Sequence, residues 1–159
     1  MQGILKKLIT LLIHFGIAFC LLKITYSINY SIYIYRYPWA IALFCYLIIT
    51  LVFYRVIPKR HVKGVNKTFS KDYEIALDYF EESYRFFSKY SFFDEYGFIF
   101  LLNMSDYTYR ESALLNQAYI KYTKGNDDEA RKLYEHVLRM NSKNRIAKKG
   151  IKIIETKKA

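Results

Sequence analysis

Not one aspartate or glutamate occurs before Asp72, although ten lysines and arginines stand in the same stretch (Lys6, Lys7, Lys23, Arg36, Arg55, Lys59, Arg60, Lys63, Lys67 and Lys71). That absence excludes carboxylate acid/base pairs and carboxylate metal sites from the front of the chain. Cysteine is scarce too: Cys20 and Cys45 both lie in apolar runs, where a thiol behaves as a small hydrophobe, so neither a disulfide framework nor a paired-cysteine metal spacing is present. The six glycines form no phosphate-cradling loop, and His14, His61 and His136 are too far apart to make a His-x-x-x-His pair. The insertion described below holds carboxylates, Asp94, Glu95 and Asp106, but nothing beyond their presence argues for catalysis. The chain is therefore expected to be neither an enzyme nor a carrier of a metal or cofactor.

What is present is hydrophobic length. A helix needs around 20 apolar residues to cross a bilayer, and two runs meet that need, Leu8 to about Ile28 and Pro38 to Ile57. Lys23 and Arg55 sit near span ends, where a long cationic side chain can snorkel to the head groups, and Pro38 stands where a missing N–H costs nothing. In and beside the connector stand Tyr26, Tyr30, Tyr33, Tyr35, Tyr37 and Trp39, suited to the headgroup layer. Residues 1–57 thus read as a two-helix transmembrane hairpin. Basic residues flank its open ends more heavily than its connector, which puts both termini in the cytoplasm and the hairpin in the plasma membrane. Lys6 and Lys7 followed by Leu8–Leu22 also resemble a signal peptide, but no small-x-small site follows, and Phe19 stands where a lipoprotein signal ending at Cys20 wants a small residue. His14 is an ionisable group deep in a span; without an intramembrane acid it makes a poor relay, and a neutral ring bonded to a backbone carbonyl or to a hydroxyl such as Thr50 is expected.

From residue 58 the chain turns polar and helix-patterned. Tyr73, Ala76, Leu77, Phe80, Tyr84 and Phe87 recur at spacings of three and four, as do Ala130, Leu133, Tyr134, Val137 and Leu138. Leu114, Leu115, Ala118 and Tyr122 precede Gly125, which can end a helix in the left-handed conformation, and Asn126 or Asp127 is placed to cap the next one. Moving the chain 54 positions against itself pairs Gly64 with Ala118, Ala76 with Ala130, Phe80 with Tyr134 and Ser83 with Val137. An internal repeat is present.

The pattern Gly64, Asp72-Tyr73, Ala76, Phe80, Ser83 and its second copy Leu114, Ala118, Gly125, Ala130, Tyr134, Val137 resembles the tetratricopeptide (TPR) helix pair, over residues 57–90 and 111–144. The resemblance implies an all-α fold in which Ala76 and Ala130 lie at close helix crossings. The whole layout looks like small bacterial membrane-anchored TPR proteins of unassigned role. Departures are plain. The family repeats every 34 residues, so an insertion of about 20 residues, 91–110, separates the copies; its apolar Phe98–Leu102 is expected to extend a helix or pack across the first pair. Lys71 replaces glycine at the first turn, and the first helix has so little apolar face between Arg60 and Thr68 that it is expected to run on from the second span or to be partly ordered. Asn141-Ser142 stands where proline is common, and Ile146, Ile151 and Ile154 mark a capping helix over about 145–156.

In that family, partner peptides lie on the first helix of each pair. Transferred to the second copy, this nominates Asn116, Tyr119 and Thr123; the competing reading has Tyr119 filling space against the aromatic insertion. His61 and Val65 stand where a carboxylate clamp would need Lys and Asn, so a chaperone-tail receptor is not implied. Charge is lopsided: residues 72–138 hold seven basic and thirteen acidic groups, whereas 139–159 hold eight basic and one acidic, Glu155. The net +11 sits mostly beside apolar spans, where topology and anionic lipid account for it better than nucleic acid does. The expected function is a membrane-tethered adaptor or scaffold whose domain at 58–159 binds a protein or peptide in the cytoplasm. The competing reading is an accessory subunit of a transport or secretion complex acting through the hairpin, and self-association is open in both.

Overall fold

The computed structural model describes the backbone at residues 2–32, 38–97 and 105–158, and side chains at 12–27, 40–49, 51–97 and 105–157. Among the described residues the chain is all-helical, without a strand. It divides into two compact units, Met1–Ile57 with Tyr96–Asp106, and Pro58–Glu95 with Tyr107–Ala159.

In the first unit, α1 (Gln2–Ile32) and α2 (Pro38–Val56) cover the two apolar runs and pack on each other. Described side chains on both are largely exposed and apolar, including Phe15, Phe19, Phe44 and Leu51. Among the described residues no single helix is long and apolar enough to cross a membrane: Leu12–Ser27 is too short, and Ala40–Val56 meets the test only when joined to the helix that follows. His14 pairs with a hydroxyl, that of Tyr46 on α2. Its Nδ1 shares a 2.6 Å hydrogen bond with the Tyr46 hydroxyl, while Nε2 is buried with no partner among the described residues. The side chain of Thr50, the aromatic connector 33–37 and the apolar stretch Phe98–Leu102 lie outside the described residues.

The second unit is a stack of helix pairs: α3 (Lys59–Phe69) with α4 (Tyr73–Lys89), then α6 (Tyr109–Thr123) with α7 (Asp127–Met140), closed by α8 (Arg145–Lys158). A short α5 (Ser91–Glu95) follows the first pair. Each long helix packs on the one before and the one after it, and α3 touches α6 as α6 touches α8. The small residues explain the tight crossings. Ala76, Ala118 and Ala130 are fully buried, and a Cβ at Gly64 would come within 2.9 Å of the Phe80 ring. Middle position makes α6 a two-sided helix: Ala113 and Ile120 join Ala76 and Phe80 in one core cluster, while Leu114, Leu115 and Ala118 join Ala130, Tyr134 and Val137 in another.

Bond for bond, the two pairs turn alike. Lys71 N–H donates to the Thr68 carbonyl and Asp72 N–H to that of Lys67; 54 positions on, Gly125 donates to Tyr122 and Asn126 to Lys121. This is the helix ending in which one left-handed residue lets two amides recover orphaned carbonyls. Lys71 takes that conformation at φ 62° and Gly125 at φ 83°. Two expectations fail here. Asn126 occupies the start of α7 but makes no side-chain cap bond; three acids in the first turn, Asp127, Asp128 and Glu129, supply the favourable charge instead. And α3 neither continues α2 nor frays: it starts anew behind Pro58 and buries His61 and Gly64, because a small residue and one ring suffice where the partner supplies Phe80.

Candidate partner-binding surface

The nominated residues lie on α6, and its two ends are firmly held. The Thr108 hydroxyl accepts from the Glu111 amide at 3.2 Å. Asp94, reaching from α5, accepts from the Tyr109 amide at 2.6 Å and from Arg110 through both its amide and Nε, the latter at 2.6 Å. A carboxylate at a helix start is favourably placed against the helix dipole, and Arg110 neutralises it while also reaching Glu95 at 3.6 Å. So the insertion's buried acid serves as a clamp. The Glu111 carboxylate accepts from Asn141 and from buried Asn144, whose Oδ1 in turn takes the Ala147 amide and caps α8. Asn144 was readable in the sequence as a cap ahead of Ile146-Ala147; the Glu111 partnership was not, since it spans 33 positions.

Ion pairs clasp successive helices in the same way twice. Glu74 at the start of α4 meets Lys124 at the end of α6, and Asp127 at the start of α7 meets Lys157 on α8 at 2.8 Å. Lys124 holds the Glu74 carboxyl below the usual range, chiefly through their hydrogen bond. His61 is buried between Phe80 and Tyr109, edge-on to both, with Nδ1 3.3 Å from the Ser83 hydroxyl. Burial pulls its pKa from 6.5 down to about 4, so at neutral pH it is an uncharged core ring rather than a surface group.

With α6 covered on two sides, its remaining face carries Asn116, Tyr119 and Thr123. Asn116 Nδ2 donates to the Ser112 carbonyl at 2.8 Å and Thr123 Oγ1 to the Tyr119 carbonyl at 2.9 Å, so each spends one donor on its own helix. Tyr119 is 50% exposed. The 54-position repeat carries the same face to Val62, Val65 and Phe69 on α3. A shift of 34 positions, fixed by the buried pairs Ala113/Ala147 and Ile120/Ile154, carries it to Gly150, Ile153 and Lys157 on α8, with Ile146 one turn before Gly150 on the same arc. Val62, Phe69 (83% exposed), Tyr119, Ile146 and Ile153 thus lie along this arc of three neighbouring helices, apolar and open to solvent, although only Tyr119 and Ile153 occupy matching positions and Val65, the α3 match, packs on the core. Only Tyr119 of these was singled out in the sequence for partner binding. The repeat register leads from Tyr119 to Ile153, and Val62, Phe69 and Ile146 join by helical periodicity.

Among the described residues no cluster of three or more His, Cys, Asp or Glu side chains could hold a metal ion. The chain matches no family model, no curated protein and no solved structure.

Proposed function

We propose that this chain is a membrane-tethered interaction adaptor. Residues 1–57 form a transmembrane hairpin, residues 58–159 form a TPR-like domain in the cytoplasm, and the shared outer face of α3, α6 and α8 receives a protein segment with aromatic or aliphatic side chains. The acid-free, cation-flanked front third supports the tether. Repetition of the turn and of the small crossing residues supports the TPR-like reading. The observation that carries the binding function is the row Val62, Phe69, Tyr119, Ile146 and Ile153, large apolar groups left exposed along one arc of α3, α6 and α8. Such a row marks an interaction site more often than a solvated wall. A photo-crosslinking amino acid at Tyr119, in native membranes, is expected to trap one discrete protein that the same probe at exposed Lys132 does not trap. Equal, diffuse labelling from both positions would refute the reading.

One observation favours an accessory membrane subunit acting through the hairpin: the His14–Tyr46 bond with an unpartnered Nε2 beside it, a polar group that a neighbouring helix could satisfy. Capture of the partner by residues 1–60 alone would support that reading, and capture by residues 58–159 would sink it.

A further inference from the structure

The last helix breaks the repeat in one respect. Where α6 presents Leu114, Leu115 and Ala118 to the next helix, α8 at the same register presents Lys148, Lys149 and Lys152, all exposed. Arg145 stands one turn earlier on the same arc, and the four span about 10 Å of helix at 1.5 Å per residue. Among the described residues none of the four has an ion pair. The acids that could serve them are engaged elsewhere: Glu155 by Arg131, Asp127 by Lys157, Glu129 by Lys121. A further helix pair or a second copy of this face would meet like charge where the stack wants apolar contact.

We propose that this face of α8 docks on an anionic lipid headgroup layer, an inference that rests on the membrane-tethered reading. Four cations in a row without an acid among them suit a surface of fixed negative charge. Lysine, a compact point charge on a flexible stem, needs no particular geometry there. Tethering also turns docking into an intramolecular step at high effective concentration. The end of the stack then has a second role, orienting the partner-binding row relative to the bilayer.

The test uses the full chain in vesicles, with Cys20→Ser and Cys45→Ser, and an environment-sensitive fluorophore on Thr156→Cys, which lies on the same arc. Emission is expected to shift to the blue in phosphatidylglycerol-containing vesicles but not in pure phosphatidylcholine. The shift should vanish at about 0.5 M NaCl, where screening shortens to roughly 4 Å. Combining Lys148→Gln, Lys149→Gln and Lys152→Gln should weaken docking on the order of 100-fold, given the gain per cation near an anionic surface. Identical emission in both vesicle types, or a shift that survives the triple variant, would overturn the proposal. So would a response to polyglutamate in place of the lipid. Alkaline carbonate extraction of the same vesicles scores the tether separately: a released chain refutes the hairpin, whereas a retained chain with no lipid-dependent shift refutes only the docking of α8.

Discussion

Acidification reports most directly on how α3 is packed, because His61 is a titratable ring enclosed by the first helix pair and Tyr109. Its folded pKa, about 4, lies below the unfolded 6.5, so the unfolded chain takes up the proton first. Stability is then complete above about pH 6.5 and falls as the pH drops toward 4. Between pH 7.5 and 5 the two proton affinities give a loss of about 2 kcal/mol. Carboxylates such as Glu74 and Glu129, held below their ordinary range by hydrogen bonds from Lys124 and Lys121, lose their contribution in the same direction, but only as the pH approaches the ordinary carboxylate range at the acid edge of that window. The assay is urea denaturation of the full chain in mild detergent, followed by far-UV circular dichroism, with the midpoint expected to fall by roughly 1 to 2 M. His61→Phe keeps an aromatic ring against Phe80 and Tyr109, gives up the Ser83 bond for about 1 kcal/mol, and should make the midpoint insensitive to pH over that range. A wild-type midpoint equal at the two pH values, or an unaltered slope in His61→Phe, would show that α3 does not enclose this ring.

The matched turns give a paired prediction. Gly125→Ala places a Cβ at φ 83° and should cost about 1 kcal/mol, whereas Lys71→Gly relieves a left-handed lysine and should stabilise by up to about 0.5 kcal/mol after glycine's entropy is counted, both read as urea midpoints. Gly64→Ala pushes a Cβ to 2.9 Å from the Phe80 ring and should cost about 1 to 3 kcal/mol by overpacking; a neutral outcome would mean that the first crossing is looser than described. Asp94→Asn removes the charge that clamps the start of α6. The loss should be about 2 kcal/mol, less than for a fully buried pair because the Arg110 side chain keeps 24% exposure, and hydrogen exchange should rise in the first turn of α6 rather than throughout the stack.

Helix character and the crossing residues could be read from the sequence because they are local or periodic: Ala76, Phe80, Ala118, Ala130, Tyr134 and Val137 stood out by spacing and are all buried. Gly125 was legible through its conformational freedom. Lys71 was not, because nothing in a lysine announces a positive φ; only its place in the repeat does. The burial of His61 and Asp94 was not legible for a related reason. It depends on Ser83, Phe80 and Arg110, which arrive from other helices. Of the candidate surface, Tyr119 was visible while Val62, Phe69, Ile146 and Ile153 were not. Exposed apolar residues are recognisable only once the packed faces of their helices are known.

The division of the chain between lipid and water is tested most directly by cysteine accessibility in intact cells. In a background with Cys20→Ser and Cys45→Ser, the account predicts that Tyr37→Cys reacts with a membrane-impermeant maleimide from outside, and that Lys132→Cys reacts only after the cells are permeabilised. Labelling of both positions from the same side would contradict it.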